Sequence, residues 1–474
     1  MLNRFLLAAA VAVLPGLALA DSVTQLKNQP PDGAQETWLL TDGTVLAQGY
    51  NGSDMWVLTP DKTGSYVNGT WKQVASLTWD PDAEASQVLA DGRVIVQGGE
   101  YSNGGNFTLT NQGEIYDPVK QTWSKLAPPP TWKNIGDSPS VVLADGRYFL
   151  GDKLHKRGAI LDPATMTWSV AGYRGKNDFN AEEGFTLMPD NSILIVDVQD
   201  NPQSEAWVPS KNKWVSLGST VANLQGPPCC GCINYPPKNK CYYPPGETGP
   251  AILRPDGTVF ATGALHSGAS AGHTAIYTPG NGWAAGPDFP NNDDAGDNFA
   301  SLLTNGNVLV EGSSCMLYTW DGSKLTSTGI CGEGSSQMVL PTGQVLIGGF
   351  EVYNSSGTYK SSWQPTISNV PSSVAQGKTY QISGTQFNGL SQAASFGDEF
   401  ETSTNYPLVQ ITNTATGDVF YTRTHDHSTM GVATGTTTVS TSFDVPSKAE
   451  TGASSLVVIA NGIPSAPVSI TVTN

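Results

Sequence analysis

Acidic residues recur at one position of a repeated phrase in this chain, and their spacing suits a binding site. Seven short apolar segments each end in a turn such as Asp-Gly, and a carboxylate precedes every turn by six to nine residues. A ring of such groups around a channel would attract cations or polyhydroxylated ligands. The alternative is that they cap turns by accepting backbone N–H bonds. The carboxylates are Glu36, Glu84, Asp137, Glu183, Glu247, Asp297 and Glu333.

A Pro- and Cys-rich insertion, residues 226–246, leads directly into Glu247. It carries Tyr235, Tyr242 and Tyr243, whose rings have the apolar faces that stack on sugars. We therefore predict a ligand-contacting loop at the same mouth as the carboxylates. The alternative is an ordered surface loop without a binding role.

Two histidines flank an aspartate at His425, Asp426 and His427. Residues i and i+2 of a strand share a face, so both imidazoles could bind one metal ion together with ring carboxylates. The alternative is that this short polar run is an exposed turn.

Six cysteines in an exported chain predict three disulfides. Cys315 and Cys331 flank one strand–turn unit and are expected to pair. The other four lie in the insertion, where three pairings are open and a metal site is the alternative. They are Cys229, Cys230, Cys232 and Cys241.

The elements that must position these groups follow from the repeats. Their turn markers are Asp42, Asp91, Asp145, Asp190, Asp256, Asn305 and Thr342, so the mean spacing is 300/6 = 50 residues. A period of about 50 residues built from hairpins is typical of kelch-type propeller blades. We predict an all-β chain with a seven-bladed kelch-type β-propeller over 21–365, closed by residues 23–31 as an outer strand of the last blade.

The period stops near Pro365, and six or seven alternating strands without a helix pattern follow over 366–474. This pattern predicts an immunoglobulin-like β-sandwich.

Residues 1–20 have the pattern of a signal peptide, with Arg4, an apolar run and a small-x-small ending. They predict a secreted or periplasmic protein. The net charge is −17, with 41 acidic against 24 basic residues. Such a surface argues against nucleic acid or anionic membrane as a partner, and no later apolar stretch is long enough for membrane insertion. The sequence does not indicate an oligomeric state.

A secreted seven-bladed kelch propeller followed by such a sandwich resembles the galactose oxidase and glyoxal oxidase family of copper-radical enzymes, whose C-terminal part is an E-set domain. In the C-terminal part the resemblance is carried by residues 442–446, 459–465 and 424–425. It implies that His425 occupies a copper-ligand position on a loop reaching the propeller axis.

The other family positions differ in this chain. Glu333 and Gly334 stand where the resemblance implies a Tyr-His pair, Glu247 and Thr248 stand at the radical tyrosine, and Glu182 and Glu183 stand at its cysteine partner. One histidine is too few for a copper site, and a Tyr–Cys radical has no counterpart.

We therefore expect a secreted protein that binds a carbohydrate or a cation-assisted extracellular ligand at an acidic channel mouth. The alternative is a copper-dependent oxidase of sugar alcohols or aldehydes with a rearranged site that uses His425 and His427. Calcium and copper are the candidate cofactors, and the sequence firmly implies neither.

Overall fold

The propeller is built from seven four-stranded sheets, and a computed structural model describes residues 20–102, 104–228, 231–235, 240–332 and 336–474. The signal-peptide prediction falls almost entirely outside these residues. An N-terminal strand, β1 (Ser22–Gln25), precedes the first blade. Blade 1 contains β2 (Glu36–Leu39), β3 (Val45–Gln48), β4 (Met55–Thr59) and β5 (Thr70–Gln73). Blade 2 contains β6 (Glu84–Val88), β7 (Val94–Gly98), β8 (Gly113–Asp117) and β9 (Thr122–Lys125).

The next three blades repeat this plan. Blade 3 contains β10 (Ser140–Val142), β11 (Tyr148–Asp152), β12 (His155–Asp162) and β13 (Thr167–Ala171). Blade 4 contains β14 (Thr186–Leu187), β15 (Ile193–Val196), β16 (Gln203–Val208) and β17 (Lys213–Ser219). A hairpin of β18 (Ile233–Tyr235) and β19 (Lys240–Tyr242) follows, and blade 5 contains β20 (Thr248–Leu253), β21 (Val259–Gly263), β22 (Thr274–Thr278) and β23 (Gly282–Ala285).

The last two blades complete the ring. Blade 6 contains β24 (Ala300–Leu302), β25 (Val308–Glu311), β26 (Met316–Trp320) and β27 (Leu325–Cys331). Blade 7 contains β28 (Gln337–Val339), β29 (Val345–Ile347) and β30 (Glu351–Asn354). Short 3-10 turns occur at Pro209–Lys211, Pro290–Asn292 and Ser361–Trp363. No helix within the described residues is long and apolar enough to cross a membrane.

The repeated turns form for a local reason. Asp42 Oδ1 accepts the backbone N–H of Thr44 at 3.0 Å, while Gly43 takes the left-handed φ of +77° that the turn requires. Such a side-chain bond to the backbone two residues on stabilises the turn between two antiparallel strands. The same bond forms at Asp91, Asp145, Asp190, Asp256 and Asn305.

The N-terminal strand closes the circle as predicted. β1 pairs antiparallel with β30, from Ser22 opposite Asn354 to Gln25 opposite Glu351, and becomes the outer strand of blade 7. The next residue, Leu26, donates its backbone N–H to Phe350 and is buried in the propeller core. This pairing removes the exposed sheet edge that blade 7 would otherwise present.

Shortening Leu26 should therefore loosen the closure. We expect Leu26→Ala to lower the free energy of unfolding by about 2–3 kcal/mol, since it leaves a cavity under β1. The exposed neighbour Lys27 is the control, and Lys27→Ala should stay within about 0.5 kcal/mol of wild type in urea unfolding. Equal effects of the two substitutions would contradict the closure.

The C-terminal strands form one extended, curled sheet, which is consistent with the predicted β-sandwich. Its order is β31-β33-β37-β36-β35-β38-β40-β32, and β39 pairs with β38. Its core includes Val374, Phe443 and Val458. The strands are β31 (Thr366–Asn369), β32 (Ser373–Ala375), β33 (Thr379–Thr385), β35 (Leu408–Asn413), β36 (Val419–His425), β37 (Val439–Asp444), β38 (Gly452–Ala460), β39 (Ile463–Pro464) and β40 (Val468–Thr473).

Between β33 and β35 the chain leaves this sheet and enters the propeller. We call residues 391–407 the plug loop. Its short strand β34 (Ala394–Ser395) pairs with β24, the innermost strand of blade 6. A Cβ on Gly184, at the start of blade 4, would overlap the carbonyl oxygen of Gly397, so glycine is required there for the plug loop to pass.

Two disulfides lie within the described residues. Cys315 pairs with Cys331 as predicted, and Cys232 pairs with Cys241 across the β18–β19 hairpin. These two sulfur atoms of the insertion are therefore not free to bind a metal ion. The alternative of a metal site made from all four cysteines of that loop is wrong. Cys229 and Cys230 lie outside the described residues.

Candidate binding site at the acidic mouth of the propeller

The innermost strands define the mouth of the channel. β2 lies beside β6 and β28, and β20 lies beside β14 and β24, so these strands line the axis. Because all of them run in the same direction, the residues just before or at their starts surround one mouth. Glu36 opens β2 and Glu84 opens β6, whereas Asp137 precedes β10.

The plug loop fills the axis and is held by hydrogen bonds to several blades. Glu401 accepts the backbone N–H groups of Ser86 and Ser140, on the inner strands of blades 2 and 3. Gln392 accepts the N–H of Leu187 at 2.7 Å, and Thr402 donates to the carbonyl of Gln337 at 2.6 Å. These bonds fix the acidic run that contains Asp398 and Glu399 at the mouth.

Lys153 organises the cluster of carboxyls at the mouth. Its ammonium group is fully buried and pairs with Asp137, with Glu182 at 2.7 Å and with Glu100 at 3.3 Å. Tyr242, from the insertion, donates to the same Glu182 oxygen at 2.8 Å, and its ring centroid lies 5.1 Å from Lys153 Nζ. A buried lysine with three carboxylate partners is a stable ion-pair network only while all partners are in place.

The cluster contains both ionised and protonated carboxyls. For Glu182, burial opposes ionisation, but Lys153 and the hydrogen bond from Tyr242 outweigh it and lower the pKa. Burial is the main cause that raises the pKa of Glu247 to about 11 and of Asp398 to about 6, and the charge of Glu182 adds to both shifts. Asp297 is accessible to water, yet surrounding protein and the charge of Asp398 raise its pKa to about 8.

Backbone strain coincides with this cluster. Glu182 and Asp297 both have left-handed φ values, +60° and +54°. Such a conformation is unfavourable for a residue with a Cβ and persists where the surroundings impose it, often at functional sites.

Aromatic side chains edge the mouth. Tyr101 is 42% exposed and packs on Phe107 with ring centroids 6.1 Å apart. Partial burial of its hydroxyl raises its pKa, and the charges of Glu100 and Asp137 add to the shift. Tyr243, next to the buried Tyr242, is 65% exposed. The rim therefore offers accessible aromatic rings beside the carboxyls.

Glu36 and Glu84 form a separate pair deeper in the wall of blades 1 and 2. Both are fully buried and lie close enough for the charge of Glu84 to act on Glu36, while Ser86 donates to Glu36 at 2.5 Å. Burial raises the pKa of Glu36 well above its usual range and that of Glu84 to about 8. Protonation allows two buried carboxyls to lie together, because two adjacent carboxylates would repel each other.

Glu183 belongs to a third group, on the side of blade 4. It pairs with Lys176 at 2.8 Å, and Lys176 also pairs with Asp178 and Glu205 at 2.8 Å and 3.0 Å. The expectation that Glu183 joins the ring at the mouth is therefore not met. Its neighbour Glu182 occupies that place.

The two histidines lie at the opposite end of the inner strands. β36 ends beside the turns of blades 1 and 2, where Thr424 donates its N–H to the carbonyl of Thr41 at 3.0 Å. His425 contacts Asp426 at 2.8 Å and Asp444 at 3.2 Å. The structure does not bring the imidazoles to the carboxylate ring as expected.

His427 is separated from His425 by a change in backbone direction. Asp426 has a φ of +53°, so residues 425–427 are not a continuous strand and the two imidazoles do not share a face. His427 is buried against Tyr406 and bonds Thr441 at 2.8 Å, and burial lowers its pKa to about 3.

The predicted residues thus separate into distinct places. The structure brings Asp137, Glu247, Asp297 and Tyr242 together, and it leaves Tyr243 on the rim. Glu333 lies outside the described residues, as does the side chain of Tyr235. Sequence reasoning missed the residues that complete the cluster, although a lysine at the end of a buried strand and an acidic run flanked by phenylalanines were visible signals. The residues that sequence reasoning missed are Lys153, Glu100, Glu182, Asp398 and Glu399.

Comparison with known proteins supports the architecture. No family model matches the chain. A putative F-box/kelch-repeat protein of Arabidopsis thaliana is 32% identical over 121 residues, which are 25% of this chain and 28% of that protein. A fungal alcohol oxidase of the AA5 family, solved with copper, aligns over 96% of this chain and 100% of its own, with a TM-score of 0.51 and 12% identity. The chain has a seven-bladed β-propeller fold that resembles the galactose oxidase-like fold of that enzyme, and part of its sequence is similar to a kelch-repeat protein.

The mouth does not fit the copper-radical centre that the fold implies. Its donors among the described residues are carboxylate oxygens, the Lys153 amine and the Tyr242 hydroxyl, whereas such a centre needs imidazoles and a tyrosine joined to a thiol. The described cysteines form disulfides, and His425 and His427 lie at the other end of the inner strands. We derive no copper chemistry from this site.

Proposed function

We propose that the protein binds a polyhydroxylated, carbohydrate-type ligand at the acidic mouth. The proposal is supported by a cluster of buried carboxyls whose pKa values shift in opposite directions and which lies beside the exposed ring of Tyr101. At neutral pH the ionised Glu182 accepts hydrogen bonds, while Glu247, whose pKa is near 11, keeps its proton and donates. Hydroxyl groups need both kinds of partner, because each is a donor and an acceptor.

The rim supplies the apolar part of such a site. Tyr101 exposes its ring beside the carboxyls, Tyr243 is exposed directly after the buried Tyr242, and the C–H faces of a sugar pack on rings of this kind. A rigid site is favourable for binding because little ordering is needed when the ligand arrives. The disulfide Cys232–Cys241 stabilises the hairpin that carries Tyr242 and leads to Tyr243.

The secreted or periplasmic location belongs to the same proposal. It is supported by the apolar N-terminal run and by the disulfides, which persist in oxidising compartments. An extracellular site would meet oligosaccharides and free sugars.

A glycan array followed by calorimetric titration of the strongest binder tests this function. We expect Tyr243→Ala to weaken binding about tenfold, which corresponds to about 1.4 kcal/mol for one aromatic contact. Tyr50 is the matched control, since it is 57% exposed but packs on Phe350 near blade 7. Tyr50→Ala should bind like wild type.

Two outcomes would contradict the proposal. One is a wild-type protein that retains no glycan on the array. The other is an identified glycan whose affinity falls equally in Tyr243→Ala and Tyr50→Ala.

A further inference from the structure

The cluster at the mouth contains more negative charge than Lys153 balances. Lys153 pairs directly with three of its carboxyls, and the others act on one another through their charges. Carboxyls this close in a buried place must be protonated or neutralised by a bound cation. The seven that interact are Glu100, Asp137, Glu182, Glu247, Asp297, Asp398 and Glu399.

Three of these carboxyls have the spacing of metal ligands. Asp137, Glu182 and Asp398 each contribute one oxygen, and these oxygens all lie within 4.8 Å of one another. Calcium binds oxygens at about 2.3–2.6 Å, so ligands on opposite sides of the ion are about 5 Å apart. The three oxygens could therefore contact one calcium ion.

Unpartnered buried oxygens point into the same place. Glu399 is 6% exposed and lies beside Asp398, and its Oε2 accepts no hydrogen bond from the described residues. Asp137 Oδ1 and Asp398 Oδ2 are buried and likewise accept none within that part of the chain. Buried oxygens without a donor are costly, and a cation would satisfy them.

A second acidic triad within the described residues has more hydrogen-bond donors of its own. Asp178, Asp197 and Glu205 are also close together, but Lys176 bonds Asp178 and Glu205 directly. Backbone N–H groups of Gln199 and Asn177 satisfy those carboxylates further. Asn177 Nδ2 donates to Asp197 at 2.7 Å, so every member of this triad has a lysine or amide donor, although Asp197 Oδ1 has none among the described residues.

We propose that a hard divalent cation, calcium by preference, binds between Asp137, Glu182 and Asp398, with Glu399 as an additional oxygen donor. A set of carboxylate oxygens favours calcium over copper or zinc, which prefer nitrogen and sulfur ligands. Asp297, whose charge interacts with that of Asp398, is the member of the cluster that is exposed to water. This inference goes beyond the carbohydrate proposal and does not depend on it, since calcium binding is measured without a glycan.

Calorimetric titration of the full chain with calcium chloride, after removal of metals with a chelator, tests the site. We expect one calcium per chain with a dissociation constant below about 1 mM and a rise in melting temperature on binding. Asp398→Asn, which keeps the size of the side chain, should weaken calcium binding by at least about tenfold. Asp197→Asn, in the second triad, is the matched control and should bind like wild type.

A second readout covers the case in which Asp398→Asn does not fold. Terbium can replace calcium, and the neighbouring Tyr242 ring should sensitise its luminescence, which added calcium should then quench. Wild type that binds no calcium and gives no sensitised terbium signal would overturn the proposal. So would calcium binding that is lost in Asp197→Asn and retained in Asp398→Asn.

Discussion

Lys153→Met is expected to lower the free energy of unfolding by about 3–5 kcal/mol, which is the range for removing one partner of a buried ion pair. The ammonium of Lys153 is fully buried and holds Asp137, Glu182 and Glu100. Methionine fills a similar volume but leaves these carboxyls facing one another without a counter-charge. Urea unfolding at neutral pH in the presence of a chelator measures the loss without a contribution from bound metal.

Lys125→Met is the control for this substitution. Lys125 is exposed on β9, the outer strand of blade 2, and its replacement should change the stability by no more than about 0.5 kcal/mol. Equal stability of the two variants would mean that Lys153 does not organise the mouth.

The second large effect is a loss of stability as the pH rises. Burial raises the pKa of Glu84 from 4.5 to about 8 and that of Glu36 in the same direction. The folded protein therefore binds more protons than the unfolded chain between about pH 4.5 and about pH 8. In that window the stability contributed by these two carboxyls falls with increasing pH, by a few kcal/mol in all for groups this deeply buried. The lowered pKa of His427 acts in the opposite sense, but only below about pH 6.5.

Urea unfolding across this pH window should show the decline for wild type and a flatter profile for Glu84→Gln. Glutamine cannot ionise and can still donate a hydrogen bond to Glu36. Gln87→Ala, on the same strand, removes a bond to the Ser140 carbonyl and no titratable group. It should lower the stability evenly at every pH. A decline with pH that is as steep in Glu84→Gln as in wild type would contradict a protonated Glu84 in the folded protein.

The sequence predicts the propeller well because its determinants are local. An Asp or Asn that bonds the N–H two residues later marks each turn, and the strands on both sides follow from it. The closure by β1 was also predictable, because residues 23–31 resemble the outer strands of other blades. Pairing of β1 with β30 confirms it.

The site was predictable only in outline. A carboxylate before each inner strand indicates the mouth, but Glu182 and Glu183 are adjacent and point to different clusters. Glu182 has a left-handed φ, which turns the chain between the two side chains, and sequence spacing does not show such a turn. Likewise, the left-handed φ of Asp426 separates two histidines that strand alternation would place together.

The parts of the site that could not be predicted depend on contacts between segments that are distant in the sequence. Asp398 meets Asp137 and Glu182 because the plug loop leaves the C-terminal sheet and enters the axis. No local sequence pattern predicts that path. The acidic residues between two phenylalanines within 396–401 are nevertheless unusual for a connection between strands.

Hydroxyl-radical footprinting with the glycan selected on the array tests most directly whether the mouth is the binding site. Tyr101 and Tyr243 should be protected when the glycan is bound, while Tyr50 should react as in the free protein. Protection at Tyr421 alone, in the groove between blade 1 and the C-terminal sheet, would place the ligand elsewhere and contradict the account.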